Sequence, residues 1–182
     1  AHIYNMESTH MTFIARVTPR PLPSQRGAMD PDEVERNIRK PSVYLPRTSL
    51  ICLENTHNNW GGAIIPIENI RILKNIALRH DIRLHLDGAR IFNAAVALGV
   101  PPSLLARDAN SVCFCLSKGL SAPVGSLVCG PAAFVRQALG QPPGIGVVVG
   151  QTVDHGFQGH NAGRREHAGL AHPAAEHLPY QA

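Results

Sequence analysis

Four residues, each just beyond a short apolar run, have the side chains that amine chemistry needs: His57, Asp87, Arg90 and Lys118. Lys118 follows the run Ser111 to Leu116, SVCFCL, and precedes a Gly and Pro turn. An ammonium group is costly to desolvate, so a lysine at the mouth of a buried strand favours its neutral, nucleophilic form, the form that makes a Schiff base. Asp87 follows Ile82 to Leu86 and opens Asp-Gly-Ala-Arg; a carboxylate can keep a pyridine nitrogen protonated, and the Arg90 guanidinium can grip an amino-acid carboxylate bidentately. His57 lies in the polar cluster Glu54-Asn55-Thr56-His57-Asn58-Asn59 after the run SLICLE. Pyridoxal phosphate has the aldehyde and the protonatable ring nitrogen that such a set would hold, with a small amino acid as substrate. Spacing alone leaves each residue an ordinary alternative. Asp87 suits a helix cap, Arg90 a surface charge, His57 a loop histidine bonded to backbone and Lys118 a solvated loop lysine.

The elements that must position these residues alternate in type. Asp30 suits a helix N-cap, with Pro31 at the first position and Glu33 completing a capping box, and the helix should end before Pro41. Ser49 to Glu54 reads as a strand. Ile67, Ile70, Leu73, Ile76 and Ala77 share one helical face. Strands at Ile82 to Leu86, Ser111 to Leu116 and Val124 to Cys129 follow, with a helix over Phe92 to Leu98. The nearly apolar Ser111 to Leu116 run predicts a strand buried on both faces. This alternation implies an α/β fold with a mostly parallel sheet, whose strand carboxyl ends bring Asn55, His57, Asp87, Arg90 and Lys118 to one crevice. Residues 1–17 show no clean period, and Pro19, Pro21 and Pro23 predict an extended connector.

With 182 residues and 44% hydrophobic content, the chain suffices for one domain with a core. Its charge of +4 comes from scattered arginines rather than a basic run with interleaved aromatics, which argues against nucleic acid as a partner. No apolar segment is long enough to span a bilayer, so no membrane role is expected. The four cysteines, Cys52, Cys113, Cys115 and Cys129, sit in apolar runs and read as buried packing in a reducing, cytoplasmic setting. A lone Cys-x-Cys is a weak metal signal, and no metal is expected. Residues 139–182 are rich in Gly, Pro and His and read as a disordered tail. Its histidines recur at steps that miss a common helix face, and Gly144-Ile145-Gly146 lacks the spacing of a dinucleotide loop.

Three blocks carry a resemblance. Pro46-Arg47-Thr48 through Glu54-Asn55-Thr56-His57-Asn58, then His85-Leu86-Asp87-Gly88-Ala89-Arg90-Ile91-Phe92-Asn93-Ala94, then Phe114 to Gly119 with Ala122-Pro123-Val124-Gly125-Ser126 resemble, in order, the signatures of the low-specificity L-threonine aldolases. These are pyridoxal-phosphate enzymes of the aspartate-aminotransferase-like fold, fold type I. The resemblance covers about His2 to Ala138 and implies that residues 1–138 are part of the cofactor-binding large domain, without the small C-terminal domain. It implies Lys118 as the Schiff-base lysine, Asp87 as partner of the pyridine nitrogen and Arg90 as holder of the substrate carboxylate. His2 matches the histidine that stacks on the cofactor ring, and His57 a second active-site histidine. The implied reaction is retro-aldol cleavage of L-threonine or L-allo-threonine to glycine and acetaldehyde by a homo-oligomer. An aminotransferase or desulfurase is the neighbouring chemistry, and an inactive remnant the alternative outside catalysis. The family's N-terminal segment before His2, with its phosphate-binding Gly/Thr loop, is expected to be absent, and Ser8 to Arg16 stands where the family has small residues. Negligible aldolase activity is therefore expected of the chain as it stands.

Overall fold

The computed structural model describes residues 1–6, 10–139 and 147–149. Their element order is α1 (His2–Asn5), α2 (His10–Phe13), β1 (Ser24–Gln25), β2 (Ala28–Met29), α3 (Pro31–Asn37), β3 (Leu50–Glu54), α4 (Ile67–Arg79), β4 (Arg83–Asp87), α5 (Ile91–Leu98), α6 (Pro102–Ala106), β5 (Ser111–Cys115), β6 (Ser126–Cys129), α7 (Ala132–Leu139) and β7 (Val147–Val149). The larger sheet has the order β3-β4-β5-β6-β7. β3, β4 and β5 run parallel, β6 is antiparallel to β5, and β7 is parallel to β6. The α/β class and mostly parallel sheet expected from the alternation are found. The reversed β6 is a refinement, explained by the short Leu116 to Gly125 connection, which is too tight for a parallel crossover. The tail assigned to 139–182 lies outside the described residues, apart from Leu139 and β7.

One face of the parallel strands makes the core. Ile51 and Leu53 of β3 and Leu84 and Leu86 of β4 pack with Ile70, Leu73, Ile76 and Ala77 of α4 and with Ile91, Ala94 and Ala95 of α5. The helical spacing of the α4 set gives one continuous apolar stripe, and each fully buried Leu or Ile contributes roughly 1.5–3 kcal/mol. Phe92 of α5 meets Phe114 of β5 edge to face, with ring centroids 5.2 Å apart. That contact locks the helix after Asp87 onto the strand before Lys118.

The opposite face carries Cys52 and Glu54 of β3, His85 and Asp87 of β4, and Ser111 and Cys113 of β5, since the register pairs Cys52 with His85, His85 with Ser111, Glu54 with Asp87 and Asp87 with Cys113. Here an expectation needs correction. β5 is not buried on both faces; all five of its residues are half-buried, Val112 and Phe114 on the core side as well as Ser111, Cys113 and Cys115 on the other.

Local chemistry explains the other elements. The Asp30 carboxylate accepts from the N–H groups of Asp32 (2.9 Å) and Glu33 (3.3 Å) and caps α3 as expected. Glu33 turns instead to Arg36 and Asn37, so the capping box is only half formed. Residues 16–23, with Pro19, Pro21 and Pro23, form no helix or strand, in keeping with the expected connector, and a β1/β2 hairpin that was not expected follows it before α3. Its turn places Arg26 at φ 53° and Gly27 at φ 89°, the left-handed geometry that two-residue hairpin turns need.

Candidate active site

The tips of three strands are tied together at the backbone. Asn55 N–H donates to Asp87 O (2.8 Å), and Gly88 N–H donates to Cys113 O (2.8 Å). Gly88 is needed for this approach: a Cβ there would meet Cys113 O at 3.0 Å. Glu54, Asp87 and Cys113 therefore form one row across the carboxyl ends of β3, β4 and β5.

Asp87 Oδ1 accepts from Ala89 N–H at 3.0 Å and from the Cys113 thiol at 3.8 Å. The N-cap of α5 is Arg90 and has no side-chain cap, so Asp87 closes a turn two residues ahead and does not serve as the helix cap. Its second oxygen has no hydrogen bond among the described residues. Burial, then the Asp87 charge, pushes the Cys113 thiol up to about 12. The same two causes push Cys52 up to about 11.

The loop after β3 is built around His57. Its N–H donates to Ala63 O at 2.7 Å, and its carbonyl accepts from Trp60 (3.2 Å) and Gly62 (3.0 Å). Gly61 and Gly62 adopt φ of 65° and 79°, which a residue with a Cβ resists, and so allow the chain to fold back over the histidine. The ring is buried and its Nδ1 has no hydrogen-bond partner among the described residues. Burial lowers its pKa, against the opposing charge of Glu54, so His57 is held towards its neutral form. Asn55 Nδ2 is likewise buried and unpartnered, while its Oδ1 accepts from Ile65 N–H at 3.2 Å.

Glu54 is 4% exposed. Its Oε2 accepts from His2 N–H at 2.6 Å, and its Oε1 accepts from Asn58 N–H at 2.9 Å and faces His2 Nδ1 at 3.0 Å. Burial pushes this carboxyl up, but the Asn58 and His2 donors outweigh it and hold the pKa below the ordinary value. His2 is thus brought to the β3 exit from the far N-terminus. Arg90 reaches the same loop through Nη1, which donates to Asn58 Oδ1 at 2.9 Å.

Lys118 lies three residues past β5, in a turn closed by Ser121 N–H to Lys118 O (3.1 Å) and Leu116 N–H to Gly125 O (2.9 Å). Gly119 sits where a Cβ would come 2.6 Å from Asn93 Oδ1, so this turn is pressed onto α5. The desolvated lysine expected from the sequence is not found. Lys118 is exposed, because the strand that delivers it is itself only half-covered.

The structure therefore gathers His2, His57 and Arg90 around Glu54 and Asn58, and sets Asp87 beside them on the next strand, with Lys118 at the exit of the one after. Sequence reasoning missed Glu54, Asn58 and Gly27. An acidic residue closing an apolar strand is the signal that marks Glu54. Gly27 is marked only by Arg-Gly in a hairpin turn, and its contact with His57 crosses thirty residues. Among the described residues no group of three His, Cys, Asp or Glu side chains is placed to hold a metal ion.

A mostly parallel α/β sheet with these polar groups at its carboxyl edge is the large-domain architecture of pyridoxal-phosphate fold type I enzymes. A crystal structure of a candidate L-allo-threonine aldolase from Listeria monocytogenes EGD-E superposes with TM-score 0.63 at 21% identity, covering 76% of this chain and 36% of that one. The model of the beta-eliminating lyase family matches residues 1–165, and the chain belongs to that family. It is 46% identical over 140 residues to low-specificity L-threonine aldolase 1 of Arabidopsis thaliana and 35% identical over 140 residues to the low specificity L-threonine aldolase of Escherichia coli K12. These matches cover 75% and 76% of the chain but only 39% and 41% of those relatives, so the chain spans about two fifths of their length.

Proposed function

We propose that the chain carries the central part of a pyridoxal-phosphate-dependent aldehyde-lyase site for β-hydroxy-α-amino acids, with L-threonine or L-allo-threonine as substrate and glycine and acetaldehyde as products. The observation that carries this reading is the alignment of Asp87 and the Lys118 turn at the exits of adjacent parallel strands, with two histidines and an arginine at the third. The residues fit the cofactor. Asp87 keeps one carboxylate oxygen without a partner among the described residues, and His57 Nδ1 and Asn55 Nδ2 are buried polar atoms that lack one.

Lys118 would hold the cofactor through its aldehyde carbon, Asp87 through its ring nitrogen, and His2 against its ring face. When bound, the cofactor supplies an electron sink that weakens a bond at the substrate α-carbon. Arg90 has guanidinium donors beyond the one engaged by Asn58 and would orient the substrate carboxylate. His57, kept neutral by burial, would accept the β-hydroxyl proton. On this reading the chain would serve threonine breakdown and glycine supply. Four free thiols support a reducing, cytoplasmic setting, and no described helix is long and apolar enough to cross a membrane.

A second reading, an inactive member of the family, is favoured by the exposure of Lys118 and of the neighbouring Leu120 and Val124. One experiment separates the two: purified chain with pyridoxal phosphate, scanned for absorbance, reduced with borohydride and mapped by peptide mass, alongside acetaldehyde release from L-threonine and L-allo-threonine. An adduct at Lys118 with aldehyde release supports the lyase. An adduct without release supports the inactive form, and mapping to another lysine overturns the assignment of Lys118.

A further inference from the structure

Glu54 belongs to none of the roles above, yet its side chain is the most heavily engaged of the site. Three N–H donors converge on its two oxygens: His2 N–H on Oε2, and Asn58 N–H with the His2 ring on Oε1. An ionised carboxylate only accepts hydrogen bonds. With no hydrogen of its own to donate, the Glu54 carboxylate leaves His2 one tautomer to adopt, with hydrogen on Nδ1 and a lone pair on Nε2.

We propose that Glu54 is the positioning residue of this site, holding the His2 ring in one orientation and one tautomer so that Nε2 is the nitrogen open to a bound ligand. The proposal deepens the lyase reading and rests on it for the identity of that ligand. The same carboxylate also fixes Asn58 through its N–H, and Asn58 Oδ1 in turn receives Arg90. Glu54 thus sets the ring meant to lie on the cofactor and, through Asn58, the guanidinium meant for the substrate. Such partners orient a group without touching the reacting atoms. The ionisable groups facing this cluster are His57, whose loop follows β3, and Arg90, which reaches it through Asn58.

Glutamine has the size of glutamate but only one acceptor oxygen, so Glu54→Gln must turn an NH2 towards at least one of these N–H donors. Packing is kept and the acceptor set is broken. Histidine-ring 15N–1H long-range correlation spectra of the full chain, recorded without cofactor near neutral pH, read the outcome. The wild type is expected to show His2 as a single Nδ1–H tautomer, and Glu54→Gln a mixture of both. The signals of His85, whose Nδ1 is paired with Ser111 Oγ at 2.8 Å, should not move in either protein. An unchanged His2 ring in the variant, or an Nε2–H tautomer in the wild type, overturns the proposal. Should Glu54→Gln fail to fold by circular dichroism, the wild type alone decides the matter. The His2 ring signals must move as the Glu54 carboxyl carbon titrates on acidification, and silence of His2 through that titration overturns the proposal. None of these readouts uses the cofactor, so failure of the Lys118 adduct and failure of the Glu54 role are separate results.

Discussion

Gly27, in the β1/β2 turn, lies against the ring of His57: a Cβ on Gly27 would come within 2.8 Å of His57 Cβ and 2.9 Å of Cδ2. The hairpin therefore forms one wall of the histidine's pocket and shields it from water. Its φ of 89° adds a second reason for glycine, since a residue with a Cβ is strained there.

Gly27→Ala is accordingly expected to cost about 1–3 kcal/mol from backbone strain alone, which lowers Tm by roughly 3–10 °C for a domain of this size. It should also displace His57. Thermal unfolding together with the His57 ring signals tests both. A variant with unchanged Tm and unmoved His57 signals would show that the turn has room to relax.

Asp87→Ala should separate cofactor attachment from chemistry. Lys118 reaches the site from a different strand, so the borohydride-fixed adduct at Lys118 is expected to persist in the variant and to vanish in Lys118→Ala. Any aldehyde release seen with the wild type should fall by orders of magnitude in Asp87→Ala, because in the proposed role the carboxylate would tune the electron sink. Equal release from wild type and Asp87→Ala refutes the pairing role.

Stability should fall on acidification in two stages. His57 and His85 both have pKa values lowered by burial, so the unfolded chain binds more protons than the folded one from about pH 6.5 downward. Glu54 has a folded pKa below its ordinary 4.5, so its contribution is present above that value and is lost as pH falls through the folded pKa. Denaturant midpoints across pH 3 to 8 measure this. His57→Gln should shrink the upper stage to the share of His85 and leave the lower one, and a profile identical to wild type would remove His57 as a contributor.

Cys113 and Cys52 should be nearly inert in the folded protein. Thiols pushed up to about 12 and about 11 carry far less thiolate at pH 8 than ordinary thiols, by about 1000-fold and about 100-fold respectively. Alkylation with iodoacetamide followed by peptide mapping should leave both unmodified under native conditions and label both in denaturant. Rapid native labelling of Cys113 would contradict the packed contact with Asp87.

How much of this was legible in the chain depends on distance along it. The α4 stripe of Ile70, Leu73, Ile76 and Ala77, the Asp30 cap and the strand at Leu50–Glu54 were all readable, because spacing and local hydrogen bonding act within a few residues. The order of the Glu-Asn-Thr-His, Asp-Gly-Ala-Arg and Ser-Lys-Gly blocks was likewise enough to name the candidate site. Tertiary structure alone decided what those residues meet. The clamp of Glu54 on His2 spans 52 residues, and the Arg90 contact with Asn58 spans 32. No local period records such pairings, since they exist only once the parallel register has aligned Glu54 with Asp87 and Asp87 with Cys113. The exposure of Lys118 was hidden for the same reason: an apolar run shows that a strand can be buried, while the elements packed over it determine whether it is.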